Sequence, residues 1–413
     1  MEDFSSVQVT DGHQAGMAAP FAPHQIIYSR SDERGVILFG NATFQEISEY
    51  SWAELRGAPH KIIRHPDMPR GIFWIMWDRL TRGLPVVAYV KNRTRSGRYY
   101  WALAYVSPCP GGYLSIRIRP DDDLRATMEA EYSALLAREE TQNLKPERSA
   151  EAFLARLKEL GHIDYEAFMR TALTQELKAR TSRLGRTDRI RANALDGILE
   201  LSQQADDYVQ RMAAGFRNIR AEPINMRILS NRMEDGGAAI SSISQNYEVM
   251  AADMGQDLAS LDTGDGETFG QIRSAVTEGH FALHAAEIAM EAALEMTTHR
   301  EALAGHGVDI DAELALIHQF AALTQHRSVD SLKLIAGHAE RLSETCRRLR
   351  RRINGLDVVK LMCRVESGRL ENPDAALTGI IDRLAKFHLE IDRNLVKLGR
   401  CAGGMTRNVK SCR

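Results

Sequence analysis

Cysteine is scarce and scattered. Cys109, Cys346, Cys363, Cys401 and Cys412 are the five in the chain, and no two form a C-x-x-C pair. That pattern argues against a cysteine-built zinc site and suits a reducing compartment. No apolar run approaches the roughly 18 residues needed to span a bilayer, so no membrane insertion is expected. Even the most apolar helical stretch, "FALHAAEIAMEAALEM", carries His284, Glu287, Glu291 and Glu295. The first residues lack a basic segment followed by an apolar one, so no secretory signal is expected and the expected address is cytoplasmic. Charge bias is missing too. With 53 Lys and Arg against 55 Asp and Glu, the formal net charge is −2, which gives no global pull toward nucleic acid and no acidic tail.

Tryptophan disappears after residue 101, and nine of the twelve prolines lie at or before Pro120. Beyond that point Ala/Leu/Glu/Arg text takes over, which places a domain boundary near 120. The expected organisation is a loose N-terminal arm (1–24), a mixed domain (25–120), connecting or transmitter helices (121–185) and an all-α region (186–413) for signalling or interaction.

Within the mixed domain, "QIIYS" and "GVILF" read as strands around the turn "SDERG". Short helices follow, one opened by Ser51 and Glu54 at capping-box spacing. A longer helix is expected from Met68, capped by Asp67 and stopped by Gly83, with Phe73, Met76, Trp77 and Leu80 on its inner face. "VVAYVKNRTR", "RYYWALAYV" and "YLSIRIR" then read as three strands in antiparallel succession. The class is α+β, with helices on one side of an antiparallel sheet.

One stretch invites chemistry. In "IIRHPDMPRGIFWIMW", Pro66 forces His65 into extended geometry. Arg64, His65 and the following helix N-terminus together make a candidate anion site, because free amide groups and the positive dipole end favour negative charge. The same residues also read as an ordinary loop, a cap and a core-filling helix, and as a bare motif the ordinary reading is the commoner one. Asn92 ends an apolar strand face with Val86, Ala88 and Val90, and a buried amide there needs a partner. Asn41 poses the same question, with helix capping as its simple answer.

The order of elements, with "GNATFQEISEYSWAELRGAPHKIIRHPDMPRGIFWIMWDRLTRGLP" and "VKNRTRSGRYYWALAYVSP…GGYLSIRIRP", resembles the PAS domain of the aerotaxis receptor family over residues 25–120. The resemblance implies a five-stranded antiparallel sheet with flanking helices and a non-covalently bound FAD that reports redox state or oxygen. It implies that Asn41, Arg64, His65 and Asp67 hold FAD, that Trp77 flanks the pocket, and that His60 and Asn92 fall on family positions. Where the family has a tryptophan after "G-x-P", this chain has Val86. Haem is the alternative cofactor, with His60 or His65 as axial-ligand candidates.

The family also implies chemotaxis receptor and kinase array proteins as partners, a homodimer, and no enzymatic activity. A cofactor-free interaction scaffold stays open as a third reading.

The all-α region offers weaker leads. Residues 222–254, with Asn225, Leu229, Asn231 and Gly236–Gly237, faintly resemble a chemoreceptor hairpin tip. "DTGDGET" (262–268) reads as a turn rather than a nucleotide site. His280, His284 and Glu287 have metal-ligand spacing but sit in an Ala-rich helix. "RRLRRR" (347–352) reads as a solvated face, so no nucleic-acid partner is expected.

Overall fold

The computed structural model describes residues 16–186, 190–233, 237–262, 268–303, 309–369 and 375–412. Residues 1–15 of the expected arm, Gly236 and residues 263–267 of the "DTGDGET" turn lie outside the described residues. The described chain divides into two compact units, one of residues 1–188 and 280–328, the other of 189–279 and 329–413.

The first unit is built on a five-stranded antiparallel sheet: β1 (Ile26–Ser31), β2 (Ile37–Gly40), β3 (Val86–Arg93), β4 (Tyr99–Cys109) and β5 (Gly112–Ile118), in spatial order β2-β1-β5-β4-β3. Gly35 makes the β1–β2 turn at φ +79, a conformation open to glycine, and leaves room for the Trp77 ring. Between β2 and β3 run α1 (Ala42–Ser48), α2 (Trp52–Leu55), a 3-10 turn (His60–Ile63) and α3 (Arg70–Thr81). As the spacing predicts, Glu54 accepts a hydrogen bond from the Ser51 amide at 2.9 Å.

Strand periodicity sorts the sheet into two faces. Val90 and Asn92 of β3, Ala104 and Val106 of β4, and Tyr113, Ser115 and Arg117 of β5 face the α1–α3 side. The opposite face carries Tyr89, Trp101 and Tyr105, and it is covered as well. The sequence predicts helices on one side only; the structure corrects this.

The second cover comes from α4 (Asp122–Thr141) and α6 (Tyr165–Arg183), with α5 (Pro146–Glu159) between them packed on α3. Tyr132 donates to Tyr89 O at 3.1 Å, and Tyr165 donates to Val87 O at 3.0 Å. The expected connector thus folds back onto the sheet, because its aromatic residues bury there. Parts of α10 (Thr268–Thr298) and α12 (Ile310–Gly368) complete the cover, with Phe281 and Phe320 against Tyr105. The arm also differs from expectation. Residues 17–19 bond to Tyr99 and Phe21 is buried against Tyr100, so this part of the arm is anchored to β4.

The second unit is helical: α7 (Ile190–Ile219), α8 (Glu222–Ser230), α9 (Gly237–Asp262), α13 (Ala375–Ser411) and the remainders of α10 and α12, with α11 (Arg300–Leu303) belonging to the first unit. Phe216 and Phe387 meet edge-to-face at 4.9 Å in its core. The basic run is not simply solvated. Arg348 and Arg352 pair with Asp257 at 3.4 Å, and Arg350 pairs with Asp392 at 3.1 Å.

Candidate ligand pocket

A cavity of about 350 Å³ opens between the sheet and α3. One wall is Phe73, Met76, Trp77 and Leu80, the inner face that periodicity predicts. The other side of α3, with Ile72 and Ile75, is buried, and a Cβ on Gly71 would come within 2.6 Å of the Ala150 amide nitrogen on α5. Close helix packing there fixes the wall.

The α3 N-terminus does not form the expected anion site. The helix begins at Arg70 rather than Met68, with Pro69, not Asp67, in the cap position. The Arg70 and Gly71 amides both donate to the Glu139 carboxylate, each at 3.0 Å, and Glu139 is buried. An anion from α4 already satisfies the helix end. Nothing local in the sequence announces a cap some seventy residues away.

The motif residues divide. Arg64 lines the cavity, its Nη2 donating to Met68 O at 2.8 Å and its guanidinium 4.0 Å above the Phe73 ring. A backbone bridge sets Arg64 beside Asn92. The chain then turns, with the Met68 amide donating to His65 O, and His65 and Asp67 lie outside the cavity. His65 packs edge-on to Tyr99 and its Nδ1 accepts from the Asp67 amide at 3.2 Å; burial lowers its pKa. Asp67 pairs with Lys91 at 2.6 Å. Burial would raise its pKa, but the Lys91 hydrogen bond wins and the value falls. Neither residue lines the cavity.

Asn41 is also committed elsewhere. Its Oδ1 accepts from the Tyr28 amide at 2.9 Å and the Phe44 amide at 3.1 Å, and its Nδ2 donates to Ile26 O at 2.8 Å. It ties α1 to β1 and is not among the residues lining the cavity.

His60, Trp77 and Asn92 do line the cavity. Trp77 is partly exposed and meets Tyr113 edge-on at 5.6 Å. His60 stacks on Phe44, and its Nε2 accepts from Arg117 Nη2 at 2.8 Å. Burial, reinforced by the Arg117 charge, lowers the His60 pKa to about 3, so the ring is neutral. Asn92 Nδ2 makes no hydrogen bond, although the Tyr100 hydroxyl across the ladder is close enough to sense it.

Arg117 is the residue that sequence reasoning missed. It is 4% exposed, donates to Ser29 Oγ at 3.0 Å, and its Nη1 has no hydrogen-bond partner. Burial lowers its pKa to about 10, still high enough to keep the charge at neutral pH. The alternation in "YLSIRIR" is a visible signal, but it reads as an ordinary solvent face until the α1–α3 layer over it is known.

With Arg34, Lys61 and Arg64 at the cavity as well, four cationic side chains line it, and none of the described lining residues is acidic. Residues 37–112 match the PAS fold family described as PAS_3. Over 123 residues the chain is 40% identical to the aerotaxis receptor of Escherichia coli (strain K12), a stretch that is 29% of this chain and 24% of that receptor. The N-terminal domain is an aerotaxis-receptor-type PAS domain. The chain spans about a quarter of the length of that relative. The light-state structure of the blue-light photoreceptor Aureochrome1 LOV overlaps 26% of this chain and 90% of its own, at 17% identity and a TM-score of 0.23.

The PAS cavity can hold a planar, acceptor-rich ring against an apolar wall. Asn92 Nδ2 and Arg117 Nη1 offer buried donors without partners, and the remaining cations suit an attached anionic group. Ser115 Oγ is a third buried polar atom without a partner. A flavin dinucleotide fits this donor set. Haem fits less well, because the one imidazole lining the cavity has its Nε2 engaged by Arg117.

Proposed function

We propose that this chain is a PAS signal-transduction sensor whose pocket holds the ring system of FAD and reports redox or oxygen status to chemotaxis proteins. The observation that carries the reading is the buried, partnerless Arg117 Nη1 in a cavity lined by cations and no acid. Bound FAD would supply a ring whose charge and protonation change on reduction.

The residues of the chain do the holding. Arg117 and Asn92 donate to the ring edge, while Phe73, Met76 and Trp77 exclude water from its faces. Arg34, Lys61 and Arg64 face the diphosphate. His65 and Asp67 act indirectly, by fixing the loop that carries Arg64. Val86, where the family has tryptophan, is buried and outside the cavity lining. The sensor rather than enzyme reading is supported by the lining itself, which offers no carboxylate and only a neutral, engaged imidazole for acid–base work.

An absorbance spectrum of the purified full chain, followed by FAD titration, tests the proposal. Flavin bands and a rise in melting temperature with added FAD are expected. A Soret band would move the assignment to haem, and a colourless protein indifferent to FAD would leave a scaffold. Arg117→Met should weaken FAD binding by about 10- to 100-fold, the worth of a charge-assisted hydrogen bond. Chemotaxis arrays as partners and a homodimer as the working form belong to the same proposal. Co-localisation with receptor clusters and a solution mass measurement check them.

A further inference from the structure

Three carboxylates of residues 280–328 end on the PAS domain and its flanking helix. Glu313, 3% exposed and in the first turn of α12, accepts from Arg30 Nε at 2.6 Å and from Tyr28 OH at 3.3 Å. Glu295 on α10 accepts from Thr43 Oγ1 at 2.7 Å, in the first turn of α1. Glu291 accepts from Arg180 Nη1 at 2.6 Å.

The first of these contacts stands back to back with the pocket. Along β1, Tyr28 and Arg30 reach Glu313, while Ser29 between them faces the other way and touches both Arg117 and His60. Adjacent Cα atoms are about 3.8 Å apart, so a shift of Ser29 cannot leave its neighbours in place. The backbone of Tyr28 is held in turn by Asn41, one residue before α1.

Moving Arg30 away would leave the buried Glu313 carboxylate uncompensated, so the contact is sensitive to the position of β1. We infer that the N-terminal part of α12 forms a ligand-responsive latch, in which Glu313 reads the position of β1 and β1 reads the pocket through Ser29. The inference rests on the proposed ligand site. Its consequence is reciprocity: if the ligand alters the latch, weakening the latch must alter ligand affinity by the same factor.

The experiment uses the full chain. FAD dissociation constants are measured for wild type, Glu313→Gln, Tyr28→Phe and Glu340→Gln, the last an exposed position on the same helix. Amide hydrogen exchange of residues 310–328 is followed with and without FAD. The expected results are at least a fivefold change in affinity for Glu313→Gln, a smaller change of the same sign for Tyr28→Phe, none for Glu340→Gln, and FAD-dependent exchange in wild type. Tyr28→Phe keeps the test decisive if Glu313→Gln does not fold. Wild-type affinity in the folded latch variants, with exchange indifferent to FAD, overturns the latch and leaves the pocket standing. A wild-type protein that binds no FAD overturns both.

Discussion

His60 is held between the Phe44 ring and the Arg117 guanidinium, and desolvation together with the Arg117 charge opposes its protonation. Its folded pKa of about 3 lies below the ordinary histidine value of 6.5. Below pH 6.5 the unfolded chain takes up a proton that the folded one refuses. Stability therefore falls as pH drops from about 6.5 toward 3. Between pH 7 and 5 this single group should remove about 2 kcal/mol, and His60→Gln should remove less. Denaturant unfolding at both pH values checks it. Asn41 makes a contrasting case at the same scale. Asn41→Ala removes the side-chain partner of the Tyr28 amide and of the Ile26 carbonyl, while the Phe44 amide keeps the backbone oxygen of residue 41, so it should cost ~2 kcal/mol of stability. The Kd for FAD in the protein that remains folded should change far less than in Arg117→Met.

Helix α3 does its work as an element because both its sides are used. Its cavity side supplies the apolar wall, its far side packs on α5, and its N-terminus is held by Glu139. Glu139→Ala leaves the Arg70 and Gly71 amides without their acceptor and should destabilise the domain by about 1–3 kcal/mol. Faster amide exchange at residues 70–73 is the local signature. Helix α6 contributes differently. Glu176, buried, accepts from Tyr89 OH at 2.7 Å and from the Asp121 amide, linking β3 to the start of α4. Burial raises its pKa to about 7, against the opposing pull of these hydrogen bonds. The sign is opposite to that of His60: the contribution is complete below about pH 4.5 and is lost as pH rises through 7. Glu176→Gln should match wild type near pH 5 and exceed it by ~1–3 kcal/mol at pH 8, as read from urea midpoints.

At the scale of the whole molecule, the chain is two compact units, and α10 and α12 contribute residues to both. A ligand bound in the PAS cavity stabilises what it touches and what that packs against. Exchange protection gained with FAD should therefore concentrate in residues 16–186 and 280–328, while α13 stays unchanged. Protection spread evenly along the chain would contradict that division. No described helix is long and apolar enough to cross a membrane.

Local signals settled a good deal in advance. Period-two alternation and turn residues marked all five strands, and a 3.6-residue period marked the face of α3 that lines the cavity. Of the motif Arg64, His65 and Asp67, only Arg64 lines the cavity, because which way each residue of a loop points depends on what it packs against. Arg117 was unreadable for the same reason. Alternation makes the Tyr113, Ser115 and Arg117 face of the strand read as the one toward water; it is buried because the α1–α3 layer lies over it, while α4, α6, α10 and α12 cover the other face. Periodicity is written within a few residues, so the chain alone determined the strands, the cavity face of α3 and their order, and its motifs carried the family resemblance. Burial is a property of distant segments meeting, so only the tertiary structure decided which cation lost its solvent, which helix end lost its vacancy, and which carboxylate came to rest behind the pocket.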